Sequence, residues 1–258
     1  MMNEDLAALS SRSAGVAARN GNAAATSEMR ERPILMSAPM VRAILDGRKT
    51  ETRRVVKCPR GWEGQYPHLD PFAMPPAVWW WNGVHERVGV RQECPYGVPG
   101  DRLWVREGAW YDREVIGDIG ATRCFFPGDH VRFQDGRAGR APFETTADLL
   151  NLNGGLKKRP GIHMPRWASR ITLEITDIRV QRLQDITRLD IVAEGWPMDD
   201  RQEGQVACVR NGLFSDDYID DASIEWYADL WDSINGKGAW DANPFVWAIT
   251  FRRIEAQR

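Results

Sequence analysis

Long hydrophobic runs are missing from this chain. None is long enough to cross a bilayer as a helix, so no membrane contact is expected. The N-terminus lacks the continuous apolar core of a secretory signal peptide. Cysteine is sparse: Cys58, Cys94, Cys124 and Cys208 lie far apart and form no CxxC pair. His68, His85, His130 and His163 supply no closely spaced ligands either, so no zinc site and no cofactor is expected. The cysteines are expected as free thiols in a reducing cytoplasm. Strong charge of one sign is absent too. The formal net charge is −2, so any nucleic-acid contact has to come from local patches. There is no Gly-rich phosphate loop, Ser-His-Asp set or paired metal-ligand motif, which argues against a nucleoside triphosphatase or a metallohydrolase.

What is present is a chain of 258 residues with ordinary apolar content, enough for one large domain or a smaller one with insertions. Residues 1–31 are rich in Ala, Ser, Asn, Gly and Arg and are expected to form a disordered tail. An amphipathic transit peptide would need large apolar residues, and these are nearly absent there. One domain is expected over 32–258, with order beginning near Pro33 and insertions at about 58–98 and 112–160. Ser37 can cap a helix that carries Pro39 in its first turn, an apolar face of Met40, Val41, Ile44 and Leu45, and Gly47 as its stop. Lys49 to Lys57 reads as a strand. The first insertion should hold a hairpin, Val78 to Trp81 and Val84 to Val90 around an Asn82-Gly83 turn. The second is glycine-rich and reads as loop. Pro99-Gly100-Asp101 turns into a strand from Leu103 to Glu107. Ile171, Leu173 and Ile175 alternate with Thr172, Glu174 and Thr176, which marks a strand with one buried face from Arg170 to Val180. Thr187 and Asp190 form a capping box for a short helix that stops at Gly195. A helix from about Ala222 to Ile234 presents Ile224, Tyr227, Trp231 and Ile234 on one face. Phe245 to Ile254 is the last strand. Helices do not alternate regularly with strands, so a doubly wound parallel sheet is not expected. The expected fold class is α+β, mainly β: a small, partly closed β-barrel with peripheral helices and loop-rich insertions.

The chemistry gathers in Gly47-Arg48-Lys49-Thr50-Glu51-Thr52-Arg53-Arg54. Guanidiniums and an ammonium pair with phosphate, and hydroxyls add directional hydrogen bonds. A second basic group, Lys157, Lys158, Arg159, Arg166 and Arg170, would make a phosphate-binding surface if it converged on the first, and plain surface charge if it did not. Trp167 can stack on a base beside Arg166 and Arg170, or plug the barrel mouth. Glu107 and Glu194 can act as a general acid or base, or form structural ion pairs. The twelve tryptophans are large core or rim residues first, and stacking platforms second.

Gly47-Arg48-Lys49-Thr50-x-Thr52-x-Arg54 resembles the signature of the ASCH domain, a branch of the PUA-like β-barrel superfamily. Pro99 to Val105 and Leu183 to Gly195 resemble two further pieces of that family. Ser37 to Met40, His163 to Arg170 and Trp240 to Pro244 are similar to prophage-encoded members. The resemblance implies a PUA-like barrel and a cleft for RNA or a modified nucleoside, with Arg48, Thr50, Arg53, Arg54, Glu107, Arg166, Trp167 and Arg170 as ligand-binding candidates. Small bacterial members deacetylate N4-acetylcytidine with a lysine, a threonine three residues later and a distant glutamate. These fall on Lys49, Thr52 and Glu194. In that chemistry a neutral Lys49 would activate Thr52 or a water, Glu194 would carry the proton, and Arg54 or Arg48 would face the oxyanion. The leading expectation is an RNA- or nucleoside-binding protein of phage or prophage origin, and the amidohydrolase is the second. A third is a phage protein-interaction module whose tryptophans form an exposed patch.

Overall fold

The computed structural model describes residues 29–58, 60, 67–69, 78–82, 89–116, 119–126, 130–133, 138–140 and 157–254, with side chains for 29–58, 60, 92–110, 126 and 159–254. Its strands are β1 (Glu31–Leu35), β2 (Glu51–Val55), β3 (Pro67–Leu69), β4 (Val78–Asn82), β5 (Gly89–Glu93), β6 (Arg102–Arg106), β7 (Ala109–Ile116), β8 (Ile119–Phe126), β9 (His130–Phe133), β10 (Ala138–Arg140), β11 (Lys157–Arg159), β12 (Thr172–Arg182) and β13 (Phe245–Ile254). Its helices are α1 (Ala38–Leu45), α2 (Arg188–Ala193), α3 (Asp200–Arg210) and α4 (Ala222–Asn235).

The main sheet has the order β1-β6-β12-β13-β2. β1 and β6 are parallel, and every other pair is antiparallel. The outer strands β1 and β2 are not paired with each other, so the class is α+β with a mixed sheet that does not close into a barrel. One side chain spans the seam: Arg54 on β2 donates to the Leu35 carbonyl at the end of β1, 2.7 Å away.

β13 is apolar on both faces because it lies between two cores. Trp247, Ile249 and Phe251 pack with Val41 and Ile44 of α1 and with Leu103, Ile171, Leu173 and Ile175. Val246 joins the other core, where Ile191, Val206, Tyr227 and Trp231 bring α2, α3 and α4 together. Each such apolar side chain contributes roughly 1.5–3 kcal/mol when fully buried.

Several expectations change against the coordinates. The first strand starts at Glu31, ahead of Pro33, because β1 pairs with β6 from Glu31↔Arg102 onward; the predicted disordered tail up to residue 28 lies outside the described residues. Ser37 precedes α1 but its side chain makes no capping bond. The second insertion is not plain loop: β10-β9-β8-β7-β11 form an antiparallel sheet, with 141–156 outside the described residues. Gly120 and Gly139 lie within strands, paired with Val115 and Val131. β4 pairs with β5 as a hairpin, but the register Asn82↔Gly89 rules out a two-residue Asn82-Gly83 turn. In β12 the register shifts between Ile175 and Asp177. This bulge at Thr176 moves the buried set on by one, so Ile178 continues the apolar face. The helix α3 was not expected; Asp199 and Gln202 form its capping box. Ile234, placed on the buried face of α4, is 55% exposed.

Candidate binding site

The polar cassette is fixed by its backbone. Gly47 stops α1 at φ 77°. The N–H groups of Arg48 and Lys49 both donate back to the Ala43 carbonyl at 2.9 Å. Thr50 then joins three elements: its N–H donates to Ala193 O of α2 at 2.7 Å, and its carbonyl accepts from Phe251 N of β13 at 2.8 Å. The capping box of Thr187 and Asp190 starts α2, and Glu194 ends it. Gly195 follows at φ 99°, where an added Cβ would stand 3.0 Å from Ala43 Cβ and 3.1 Å from Lys49 Cβ. Only glycine lets the end of α2 lie this close to Lys49.

These constraints bring Lys49 and Glu194 together. The Lys49 Nζ donates to Glu194 Oε2 at 2.5 Å, to Glu51 O at 2.7 Å and to Glu194 O at 2.9 Å. Three bonds from one nitrogen describe an ammonium, since a neutral amine has two hydrogens. The Lys49 pKa is lowered on balance, because burial pushes it down more than the Glu194 carboxylate pushes it up. Arg53, also buried, reaches Glu51 at 2.6 Å, Asp190 at 2.9 Å and Glu194 at 3.2 Å. Arg179 pairs with Glu51 and Asp190 from the outside. Burial raises the pKa of Glu51. The Tyr227 hydroxyl donates to Glu194 Oε1 at 3.3 Å, and burial followed by the Glu194 charge raises its pKa well above the ordinary value.

A cavity of about 610 Å³ opens beside this network. Thr52, Arg53, Arg54, Glu194 and Tyr227 form its polar end. Met36, Met40, Tyr96, Trp110, Trp231 and Ile234 contribute to its walls. It lies along the free edge of β2. The bonds from Phe251 N to Thr50 O and from Val56 N to Phe245 O show that even-numbered residues of β2 face β13. The backbone groups of Glu51, Arg53 and Val55 therefore point to the open edge. Lys49 covers the Glu51 carbonyl and Arg54 covers the Arg53 carbonyl, which leaves N–H donors there. Thr52 Oγ1 accepts from Arg54 at 2.9 Å, which leaves its O–H as a donor, on a residue that is fully buried at the cavity border.

Comparison with protein-family models, curated proteins and solved structures returns no match for this chain. The site therefore has to be read from its own geometry.

The sequence-derived residues divide into two groups. Thr52, Arg53, Arg54 and Glu194 line the cavity, while Lys49 lies behind Glu194 and does not. Thr50 acts through its backbone and leaves its side chain exposed. Arg48 is turned away, donating to Gly195 O and Asp46. The second group gathers elsewhere. Glu107 and Arg170 form a bidentate pair at 2.8 and 3.0 Å, with the Arg170 guanidinium over the Phe126 ring. Arg166 pairs with Glu31, and Trp167 packs against the cluster of Ala109, Phe126, Met164 and Ala168. These four do not line the cavity, although Gly108 and Gly161 next to them do. Arg166 and Arg170 are each paired with a carboxylate, so neither brings a free charge to the cavity.

Tyr227, Asp190 and Glu51 are members of the network that the sequence reading did not select. Tyr227 had a legible signal, a lone hydroxyl on an otherwise apolar helix face. Asp190 was assigned only its capping role. Among the tryptophans with described side chains, Trp196, Trp231 and Trp247 are buried and the others half-buried, so none forms an exposed patch. No group of His, Cys, Asp and Glu suited to a metal ion occurs among the described residues. No helix among them is long and apolar enough to cross a membrane.

Proposed function

We propose that this chain is an ASCH-type, PUA-like protein of phage or prophage origin that acts in the cytoplasm and binds a nucleoside or an RNA base in the cavity beside β2. The observation that carries this reading is the cavity itself. Its volume of about 610 Å³ lies within the usual range for small-molecule sites, roughly 300–1,000 Å³. Tyr96, Trp110 and Trp231 offer apolar, aromatic surface for a base. The Glu194 carboxylate can accept from an exocyclic amine, while the Thr52 hydroxyl and the backbone N–H groups of β2 can donate to ring nitrogen or carbonyl oxygen. The seam between β1 and β2, bridged by Arg54, is consistent with the partly closed barrel that the family resemblance implies.

Titration calorimetry with cytidine, N4-acetylcytidine, uridine and adenosine tests the proposal. At least one pyrimidine nucleoside should bind, and Thr52→Ala together with Glu194→Gln should weaken it about tenfold or more, as expected for buried polar partners. Absence of binding by all four nucleosides and by short single-stranded RNA would overturn it.

A second reading, amide hydrolysis of N4-acetylcytidine, is favoured by Thr52 and Glu194 sharing one cavity end with Lys49 held against Glu194. In that reading Lys49 is a positioning residue: as an ammonium it orients Glu194 and has no lone pair to give. Glu194 would take a proton from Thr52 or a water as that oxygen attacks the amide carbonyl, and return it to the leaving amine; a water attack releases acetate directly, whereas after a Thr52 attack a water then hydrolyses the acetyl ester and restores the hydroxyl. Arg54 is the cavity cation suited to the oxyanion. Chromatographic detection of cytidine after incubation with N4-acetylcytidine tests this. Binding without turnover would leave the first reading and remove the second.

A further inference from the structure

One cation at the cavity has no counter-ion. Lys49 is matched by Glu194, Arg53 by Glu51 and Arg179 by Asp190. Arg54 is left over. Its guanidinium donates to Thr52 Oγ1 and Arg53 O at 2.9 Å and to Leu35 O at 2.7 Å, and touches Met36 Sδ at 3.6 Å. All four acceptors are neutral. Among the described residues no carboxylate lies within ion-pair distance of Arg54, although it is half-buried and borders the cavity. A half-desolvated charge held by neutral acceptors is unfavourable unless something negative arrives.

The same corner holds the start of α1. The bonds from Arg54 to Leu35 and Met36 place its guanidinium directly before Ser37, the N-cap residue. Ser37 and Ala38 border the cavity, and the Ser37 hydroxyl is not used as a cap. The helix start adds the N–H groups of Ala38 and Met40, Pro39 having none, and a partial positive charge beside the guanidinium. Carboxylates hold the other cavity cation, Arg53, so the anion-accepting capacity is concentrated at Arg54.

We propose that Arg54 and the first turn of α1 hold a phosphate of the ligand. The preferred occupant is then a nucleotide, either a free nucleoside monophosphate or one residue of an RNA strand, rather than a bare nucleoside. The base half of this statement rests on the nucleobase reading above; the phosphate half rests on Arg54 and the start of α1 beside it.

Calorimetric titration of the full chain with cytidine, cytidine monophosphate, a short oligocytidylate and inorganic phosphate, at low and high salt, tests it. The monophosphate should bind about tenfold or more tightly than cytidine, as a charge-assisted arginine–phosphate contact predicts. That advantage, read as the ratio of monophosphate to cytidine affinity within the same variant, should shrink with salt and disappear in Arg54→Gln. Arg54 also bridges the β1–β2 seam, so Ser37→Ala supplies a variant that spares the seam; it should remove part of the advantage. A tighter oligocytidylate than monophosphate identifies RNA as the source of the phosphate, and the reverse identifies the free nucleotide. Equal wild-type binding of cytidine and its monophosphate overturns the phosphate site and leaves the nucleobase reading standing. Salt-sensitive binding of inorganic phosphate that Arg54→Gln abolishes, with no cytidine binding, supports the phosphate site and overturns the nucleobase reading. A monophosphate advantage unchanged in folded Arg54→Gln, or no binding of any probe, overturns the proposal.

Discussion

Replacing Lys49 by methionine keeps an unbranched side chain one atom shorter and removes its charge, which isolates the buried contact with Glu194. Three acceptors lose their donor: Glu194 Oε2, Glu194 O and Glu51 O. Lys49 and Glu194 are 2% and 4% exposed, so water cannot replace the ammonium without local opening. Breaking one side of a buried pair costs about 3–5 kcal/mol, mainly through the charge left behind. Glu194 keeps Arg53 at 3.2 Å and Tyr227 at 3.3 Å, which places the expected loss near the lower end of that range. The measurement is equilibrium urea unfolding followed by tryptophan fluorescence for wild type, Lys49→Met, Glu194→Gln and the double variant, with the slope checked for constancy. The double variant should lose less than the sum of the single ones by about 1–3 kcal/mol, since the two side chains touch. A loss below about 1 kcal/mol for Lys49→Met, or strict additivity, would refute the claim that this pair is a closed, water-free contact.

Gly195→Ala should cost about 2–3 kcal/mol, because a positive φ and a crowded Cβ position coincide there; Gly212→Ala, at φ 71° with open space around it, should cost clearly less in the same unfolding assay. The Tyr227 hydroxyl has a raised pKa in the fold, so its contribution to stability is complete below the ordinary tyrosine range and is lost as pH rises through the raised folded value. Stability measured from pH 8 upward should therefore fall more steeply for wild type than for Tyr227→Phe, and parallel curves would refute this. Burial pushes the Cys94 thiol up to about 11, so at pH 8 a thiol reagent should modify Cys94 at least about a hundredfold more slowly than the same residue in urea-unfolded protein; native Cys94 reacting at the unfolded rate would contradict its burial.

Elements set by local rules were legible from the sequence. The capping box of Thr187 and Asp190, the stops at Gly47 and Gly195, and the alternation of Ile171, Leu173 and Ile175 each follow from interactions within a few residues. The second sheet was hidden because its strands pair only with one another and carry no strong alternation among their glycines. The bulge at Thr176 was also hidden, since it is defined by the partner strand. Within the site, the residue types of the cassette were visible, but their division was not. Glu107, Arg166, Trp167 and Arg170 had the same credentials in sequence as Thr52 and Arg54, yet they form a separate cluster.

The order of residues alone determined where the polar cassette stands, between a helix stop and a strand, and that a carboxylate closes a later helix. Those are consequences of backbone preference and short-range capping. Only the tertiary structure decided that Lys49 would be sealed behind Glu194, that Thr52 and Arg54 would face a hollow, and that Arg54 would be the cation left without a carboxylate. Such outcomes depend on which distant charges fold against one another, and electrostatic pairing in a buried site is set by distance and desolvation rather than by neighbours along the chain.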